Sequence, residues 1–144
     1  MTKIALSKQL WLMKSEPDVY GWNDLVAEGE GTWDGVRNHL AARNLRTMEV
    51  GDLAFFYHSN IGKEIVGIAR VSASGLTDPS DPDGKWAAVK VKPVAQLSKP
   101  VTLAAIKATE ALAAMELLRL SRLSVSAVRP DEWRLILQMA GGTI

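Results

Sequence analysis

Apolar residues recur along this chain with periods that change abruptly, and each change marks a predicted element. Gln9 to Ser15 is a mostly apolar run ended by Glu16-Pro17-Asp18, and it reads as a strand closed by a turn. Pro17 also biases Glu16 towards extended backbone. Between Gly21 and Ala27, Trp22, Leu25 and Val26 fall at helical spacing, which predicts a short helix. Gly29, Gly31 and Gly35 then predict a loop that carries Trp33. Asn38 is placed to cap a helix running to about Met48, with Leu40 and Ala41 followed by Leu45 and Met48 on one side.

Leu53 to His58 is an apolar strand rich in aromatics, and Glu64 to Ser74 is a second strand. The turn Ser59-Asn60-Ile61-Gly62-Lys63 joins them into a hairpin, and Gly67 predicts a bulge or a close backbone approach. Thr77 to Lys85 is rich in Asp, Pro and Gly and reads as an exposed loop. Trp86 to Leu97 alternates, with Ala87, Val89 and Val91 on one side and Lys90 and Lys92 on the other, until Pro93 disturbs it. Thr102 caps a helix, a second helical run spans about Glu110 to Leu118, and Leu123 to Val128 is a short strand. Pro130 opens a last helix, Asp131 and Glu132 suit its positive end, Trp133, Ile136 and Leu137 form its apolar stripe, and Gly141 stops it. About five strands interleaved with short helices, without internal repeat or linker, predict one α+β domain over residues 1–144 with a mostly antiparallel, curled sheet.

Composition narrows the function classes. A chain of 144 residues with 47% hydrophobic content can bury a core without disulfide or metal staples. The absence of cysteine excludes thiol catalysis, disulfides and zinc–thiolate sites. No secretory h-region and no apolar run of membrane-spanning length is present, so a soluble, cytoplasmic protein is expected. Net charge is +1, which argues against extensive wrapping of a duplex. Charge is uneven, with three lysines and six acids in residues 1–36 but five basic residues and three acids in residues 37–76, so a local basic face remains open.

The candidate chemistry is ambiguous residue by residue. Alternation puts Lys14 and Glu16 on one strand face and Ser15 on the other, where the lysine reads as a ligand contact or a solvated edge. Trp33 in a glycine-flanked loop is an anchor or a stacking platform. Arg37 offers a planar fork of donors, and Asn38 offers donor and acceptor but is also a good helix cap. Asn44 lies mid-helix, where asparagine is mildly unfavourable. Tyr57 and Ser59 alternate with Phe56 and His58, and His58 reads as a ligand contact or a structural partner. Arg122 and Ser124 place a cation and a hydroxyl in what could be an amphipathic edge strand. Two histidines without cysteine form no metal-ligand pattern, and neither a phosphate loop nor a nucleophile elbow occurs, so no cofactor is expected.

Taken in order, four groups of residues resemble the EVE domain family of the PUA-like superfamily, including its thymocyte nuclear protein type. They are Trp11-Leu12-Met13-Lys14-Ser15-Glu16-Pro17, then Trp33-Asp34-Gly35-Val36-Arg37-Asn38 with Ala42 and Asn44, then Phe56-Tyr57-His58-Ser59-Asn60, then Ser121-Arg122-Leu123-Ser124-Val125 with Glu132-Trp133. The resemblance implies a PUA-like pseudo-barrel of about five strands with flanking short helices. It implies a non-enzymatic module that reads a modified nucleobase, modified cytosine in DNA or modified RNA, over a small nucleic-acid footprint. It also implies a pocket where the motifs converge, at Lys14, Ser15, Trp33, Val36, Arg37, Asn38, Asn44, Tyr57, His58, Ser59, Arg122 and Ser124. Trp33→Ala and Arg37→Ala are then expected to weaken binding and leave the fold intact. Two alternatives stand beside this reading: a hydrolase of a modified nucleoside acting through Lys14, as in the related ASCH domains, and a protein-interaction domain whose aromatics serve the core.

Overall fold

The computed structural model describes residues 9–141. Six strands form one sheet: β1 (Leu10–Ser15), β2 (Gly31–Trp33), β3 (Leu53–His58), β4 (Glu64–Thr77), β5 (Ala87–Thr102) and β6 (Val125–Val128). Their spatial order is β2-β5-β4-β3-β1-β6, and every neighbouring pair is antiparallel except β1 with β3. The helices are α1 (Pro17–Tyr20), α2 (Trp22–Glu28), α3 (His39–Thr47), α4 (Leu103–Lys107), α5 (Glu116–Arg119) and α6 (Pro130–Met139), with a 3-10 turn at Glu110–Leu112.

Helices cover both faces of the sheet, which explains why β1 and β3 are almost wholly apolar. Alternation sends Trp11, Met13, Ala54 and Phe56 into one cluster with Trp22 and Leu25 of α2 and Ala41, Ala42 and Leu45 of α3. The same alternation sends Leu10, Leu12, Leu53, Phe55 and Tyr57 into a second cluster. There they meet Ile106 of α4, Leu117 of α5, and Trp133 and Ile136 of α6. Phe55 and Trp133 lie face to face with ring centroids 3.8 Å apart.

The sheet curls but does not close, because β2 and β6 are separate edges. Helix α3 lies against both β5 and β6, and Asn44 Nδ2 donates to the Val125 carbonyl at 2.7 Å. It thus bridges the opening that a closed barrel would fill with backbone hydrogen bonds. The Asn38 cap of α3 is formed, its Oδ1 accepting from Ala41 N at 3.0 Å. Of the apolar side predicted for this helix, Ala41, Leu45 and Met48 are buried, while Leu40 is exposed and the small Ala42 is buried in its place.

Several local expectations change. Trp33 is in a strand, β2, paired with Val89 across the edge of β5, so the glycine-rich stretch is not simply a loop and the strands number six. Glycine makes room there, since a Cβ on Gly31 would meet the Tyr20 hydroxyl and force that ring to shift. The Pro17 cluster is a helical turn, with proline at the start where its missing N–H is harmless. Strand β5 passes through Pro93 to Thr102, because Pro93 sits beside a register shift between Ile68 and Ala69. The helical run after Glu110 breaks into the 3-10 turn and α5, and β6 starts at Val125. Gly67 meets both of its expectations. The β3–β4 register shifts next to it, and a Cβ there would lie 2.6 Å from the Trp22 ring.

Candidate functional site

Two clefts open at the C-terminal end of β1, and Lys14, Ser15 and Ser124 line both. Strand topology puts them there. Because β1 and β3 are parallel, their C-terminal ends emerge side by side, with Lys14 opposite Tyr57 and Ser15 opposite His58. On the other side the ladder with β6 ends at Met13 and Val125, and Lys14 N still donates to the Ser124 carbonyl at 2.9 Å as the chain turns away.

The first cleft, of about 590 Å³, is bounded by α1, β2 and the segment leading into α3. Val19, Tyr20, Trp33 and Val36 supply its apolar wall, and Asp34, Arg37 and Asn38 its polar rim. Trp33 is 7% exposed and makes edge-on contacts with Phe56 at 5.4 Å and Tyr20 at 6.5 Å. It lines the cleft but is chiefly a core residue, so a substitution there disturbs the fold as well as the cleft. Arg37 Nη1 donates to Asp78 Oδ2 at 2.9 Å and its Nη2 to Ser80 Oγ at 3.3 Å, and its guanidinium lies 5.4 Å from the Trp86 ring centre. Asp78 also accepts from Gly35 N, Ser80 N and Ser80 Oγ. Burial alone would raise its pKa, but the Arg37 and Ser80 side chains and the Gly35 and Ser80 amides outweigh burial and hold it well below the usual carboxylate range. The buried Tyr20 hydroxyl makes no hydrogen bond of good geometry, and its burial, with the Glu28 carboxylate nearby, raises its pKa.

The second cleft, of about 610 Å³, lies on the other side of Lys14. Tyr57, Leu103, Leu117 and Leu118 form its floor, and Ser59, Asn60, Lys63, Lys107, Ser121 and Arg122 its rim. Lys14 Nζ donates to the Ser121 carbonyl at 2.8 Å and sits 5.8 Å from the Tyr57 ring centre. Burial lowers the Lys14 pKa and raises that of Tyr57. Ser15 Oγ donates to the Tyr20 carbonyl at 2.7 Å, fixing the start of the wall between the clefts.

The predicted residues therefore divide. Trp33, Val36, Arg37 and Asn38 line the first cleft, while Tyr57, Ser59 and Arg122 line the second. Asn44 and His58 line neither. Asn44 holds α3 to β6, and His58 Nε2 accepts from the Trp22 amide at 3.0 Å. Acceptance requires an unprotonated Nε2. Burial lowers the His58 pKa against a smaller upward pull from Glu64, which fits that role. Residues not singled out from sequence are Val19, Tyr20, Lys63, Lys107 and the supporting Asp78. The positive-φ turn at Asn60 and Lys63 was visible only as a hairpin, and nothing local linked Lys107 or Asp78 to the motifs.

Among the described residues no group of His, Asp or Glu is arranged to hold a metal ion, and no helix is long and apolar enough to cross a membrane. An open, mostly antiparallel sheet clothed by short helices, with two polar clefts at the C-terminal end of β1, defines a PUA-like α+β domain. The EVE domain model matches residues 9–139, and the chain belongs to that family. A solved protein from Rhodopseudomonas palustris is 49% identical, with a TM-score of 0.88 over 92% of this chain and 93% of its own. Mouse thymocyte nuclear protein 1 is 32% identical over 90% of this chain and 72% of its own length. Human THYN1 protein, solved in complex with 5-methylcytosine-containing DNA, is 30% identical with a TM-score of 0.84, over 95% of this chain and 100% of its own. An ASCH protein of Zymomonas mobilis, at 11% identity and a TM-score of 0.55, shares the fold alone.

Proposed function

We propose that this domain is a non-enzymatic reader of modified cytosine in DNA, and that the base enters the Trp33–Arg37 cleft. The observation that carries the reading is the likeness, over nearly the whole chain, to human THYN1 protein, which is solved with 5-methylcytosine-containing DNA. The chemistry of the first cleft suits a flipped base. Val19, Tyr20 and Val36 offer an apolar wall for the ring and its methyl group. The Asp34 carboxylate can accept from a cytosine amino group. Asn38 Nδ2 remains free to donate while its Oδ1 caps α3. Arg37, tied to Asp78, sets the shape of the rim more than it reads the base. Lys14 acts here as a donor on the dividing wall. Its bond to the Ser121 carbonyl, without a carboxylate partner among the described residues, gives no support to a hydrolytic role.

A methyl group adds about 0.8 kcal/mol of burial, so discrimination is expected at roughly fourfold unless the wall excludes the unmodified base by shape. Fluorescence anisotropy with short DNA duplexes, DNA single strands and RNA single strands, each carrying one cytosine or one 5-methylcytosine, measures it. Tighter binding of the methylated DNA supports the reading. Equal affinity for modified and plain oligonucleotides overturns it, and preference for the modified base only in RNA moves the reading to RNA.

A further inference from the structure

The second cleft carries cations that the fold itself leaves without counter-ions. Lys14, Lys63, Lys107 and Arg122 line it, against one carboxylate, that of Glu16. None of the four takes part in an ion pair among the described residues, whose salt bridges are Arg37 with Asp78 and Arg129 with Asp131 and Glu132. Lys14 is half-buried, and its ammonium meets the Ser121 carbonyl and the Tyr57 ring, neither of which carries a counter-charge.

The turn between β3 and β4 fixes a second cation beside it. Asn60 and Lys63 both have left-handed backbone, with φ of 68° and 48°, which non-glycine residues adopt at a cost. Ser59 N donates to the Ser15 carbonyl at 2.9 Å, and the Lys63 carbonyl accepts from Leu103 N at 2.8 Å. These bonds tie the turn to β1 on one side and to the start of α4 on the other. Lys107, in the last turn of α4, and Arg122, before β6, complete the ring from two further segments.

We propose that this second cleft is a phosphate site, in which Lys63, Lys107, Arg122 and Lys14 take the phosphodiester next to the base held in the first cleft. The assignment of the phosphate to a DNA backbone rests on the reading above; the affinity for phosphate does not. Lys14 and Ser15 line both clefts, so a nucleotide can span the wall with its base on one side and its phosphate on the other. The chain's net charge of +1 hides this cluster, because acids elsewhere cancel it in the total.

The test compares the full chain with Lys63→Gln/Lys107→Gln, two exposed changes outside the first cleft. Affinity for a methylated duplex is measured from 50 to 200 mM salt. Loss of two phosphate contacts should lower the magnitude of the log–log salt slope by about 1.8, so that the wild type loses about 12-fold more affinity than the variant across that range. The ratio of methylated to plain affinity should stay unchanged. An unchanged slope overturns the backbone-phosphate assignment even if methyl discrimination is present. A reduced slope with no methyl discrimination keeps the phosphate site and removes the base reading. Inorganic phosphate, the mononucleotide 5-methyl-dCMP and an oligonucleotide are also titrated against the 15N-labelled protein. Shifts at Lys63, Lys107 and Arg122 with all three, absent in the variant, support a phosphate site. Shifts with the mononucleotide but a flat salt slope on duplex identify a terminal-phosphate site in place of a backbone one. No shift with inorganic phosphate overturns the proposal.

Discussion

The two clefts share Lys14, Ser15 and Ser124 but differ in what their remaining polar groups are doing. Around the first, Arg37 is bound to the buried Asp78, Asn38 caps α3, and Trp33 packs edge-on between Tyr20 and Phe56. Around the second, Lys63, Lys107 and Arg122 have no ion-pair partner among the described residues. The motif that draws attention in the sequence is thus mostly engaged in holding its own cleft open. Free electrostatic capacity lies across the wall. A site that reads shape needs rigid walls, and a site that binds a charge needs unsatisfied counter-charge; the two proposed roles divide along that line.

Three changes probe that contrast, beginning with the largest effect. Trp33→Ala removes a core ring and is expected to cost about 3–5 kcal/mol, read from the urea unfolding midpoint. An unchanged midpoint would make Trp33 a free platform and dissolve the contrast. Asp78→Asn removes the buried charge that gathers Gly35, Arg37 and Ser80, at about 2 kcal/mol. The same variant sharpens the point through pH. The pKa of Asp78 is lowered on folding, so its contribution is complete above the ordinary value of 3.8 and is lost as pH falls through its lowered folded value. Unfolding midpoints of the wild type should therefore drop more steeply than those of Asp78→Asn in acid below 3.8, and parallel curves would deny the role. Arg122→Gln is the smallest change in stability, within about 0.5 kcal/mol, yet it should weaken DNA binding at low salt. A large loss of stability there would mean that this arginine, too, is structural.

Local chemistry made much of the frame legible. The β3–β4 hairpin, the Asn38 cap, the Pro130 start of α6 and the close approach at Gly67 each follow from residues within a turn or two of one another. The ordered motifs also carry the family resemblance within the sequence itself. Features depending on distant partners were not legible. Arg37 meets Asp78 across 41 residues, and Asn44 meets Val125 across 81. Read alone, Arg37 looks like a free donor and Asn44 like a poorly placed helix residue. Trp33 reads as a loop residue because a three-residue edge strand beside glycines has too few positions to show alternation.

By itself the sequence determined most of the longer strands and helices, and which family they compose, because periodicity, caps and breakers act over a few residues. Only the tertiary structure decided that β1 and β3 run parallel, so that Lys14, Tyr57 and Ser59 share one end of the sheet. Only it divided the expected single pocket into two clefts and added Lys63 and Lys107 to one of them. The physical reason is that a side chain's freedom depends on its partners, and those partners here come from strands and loops that only folding brings together.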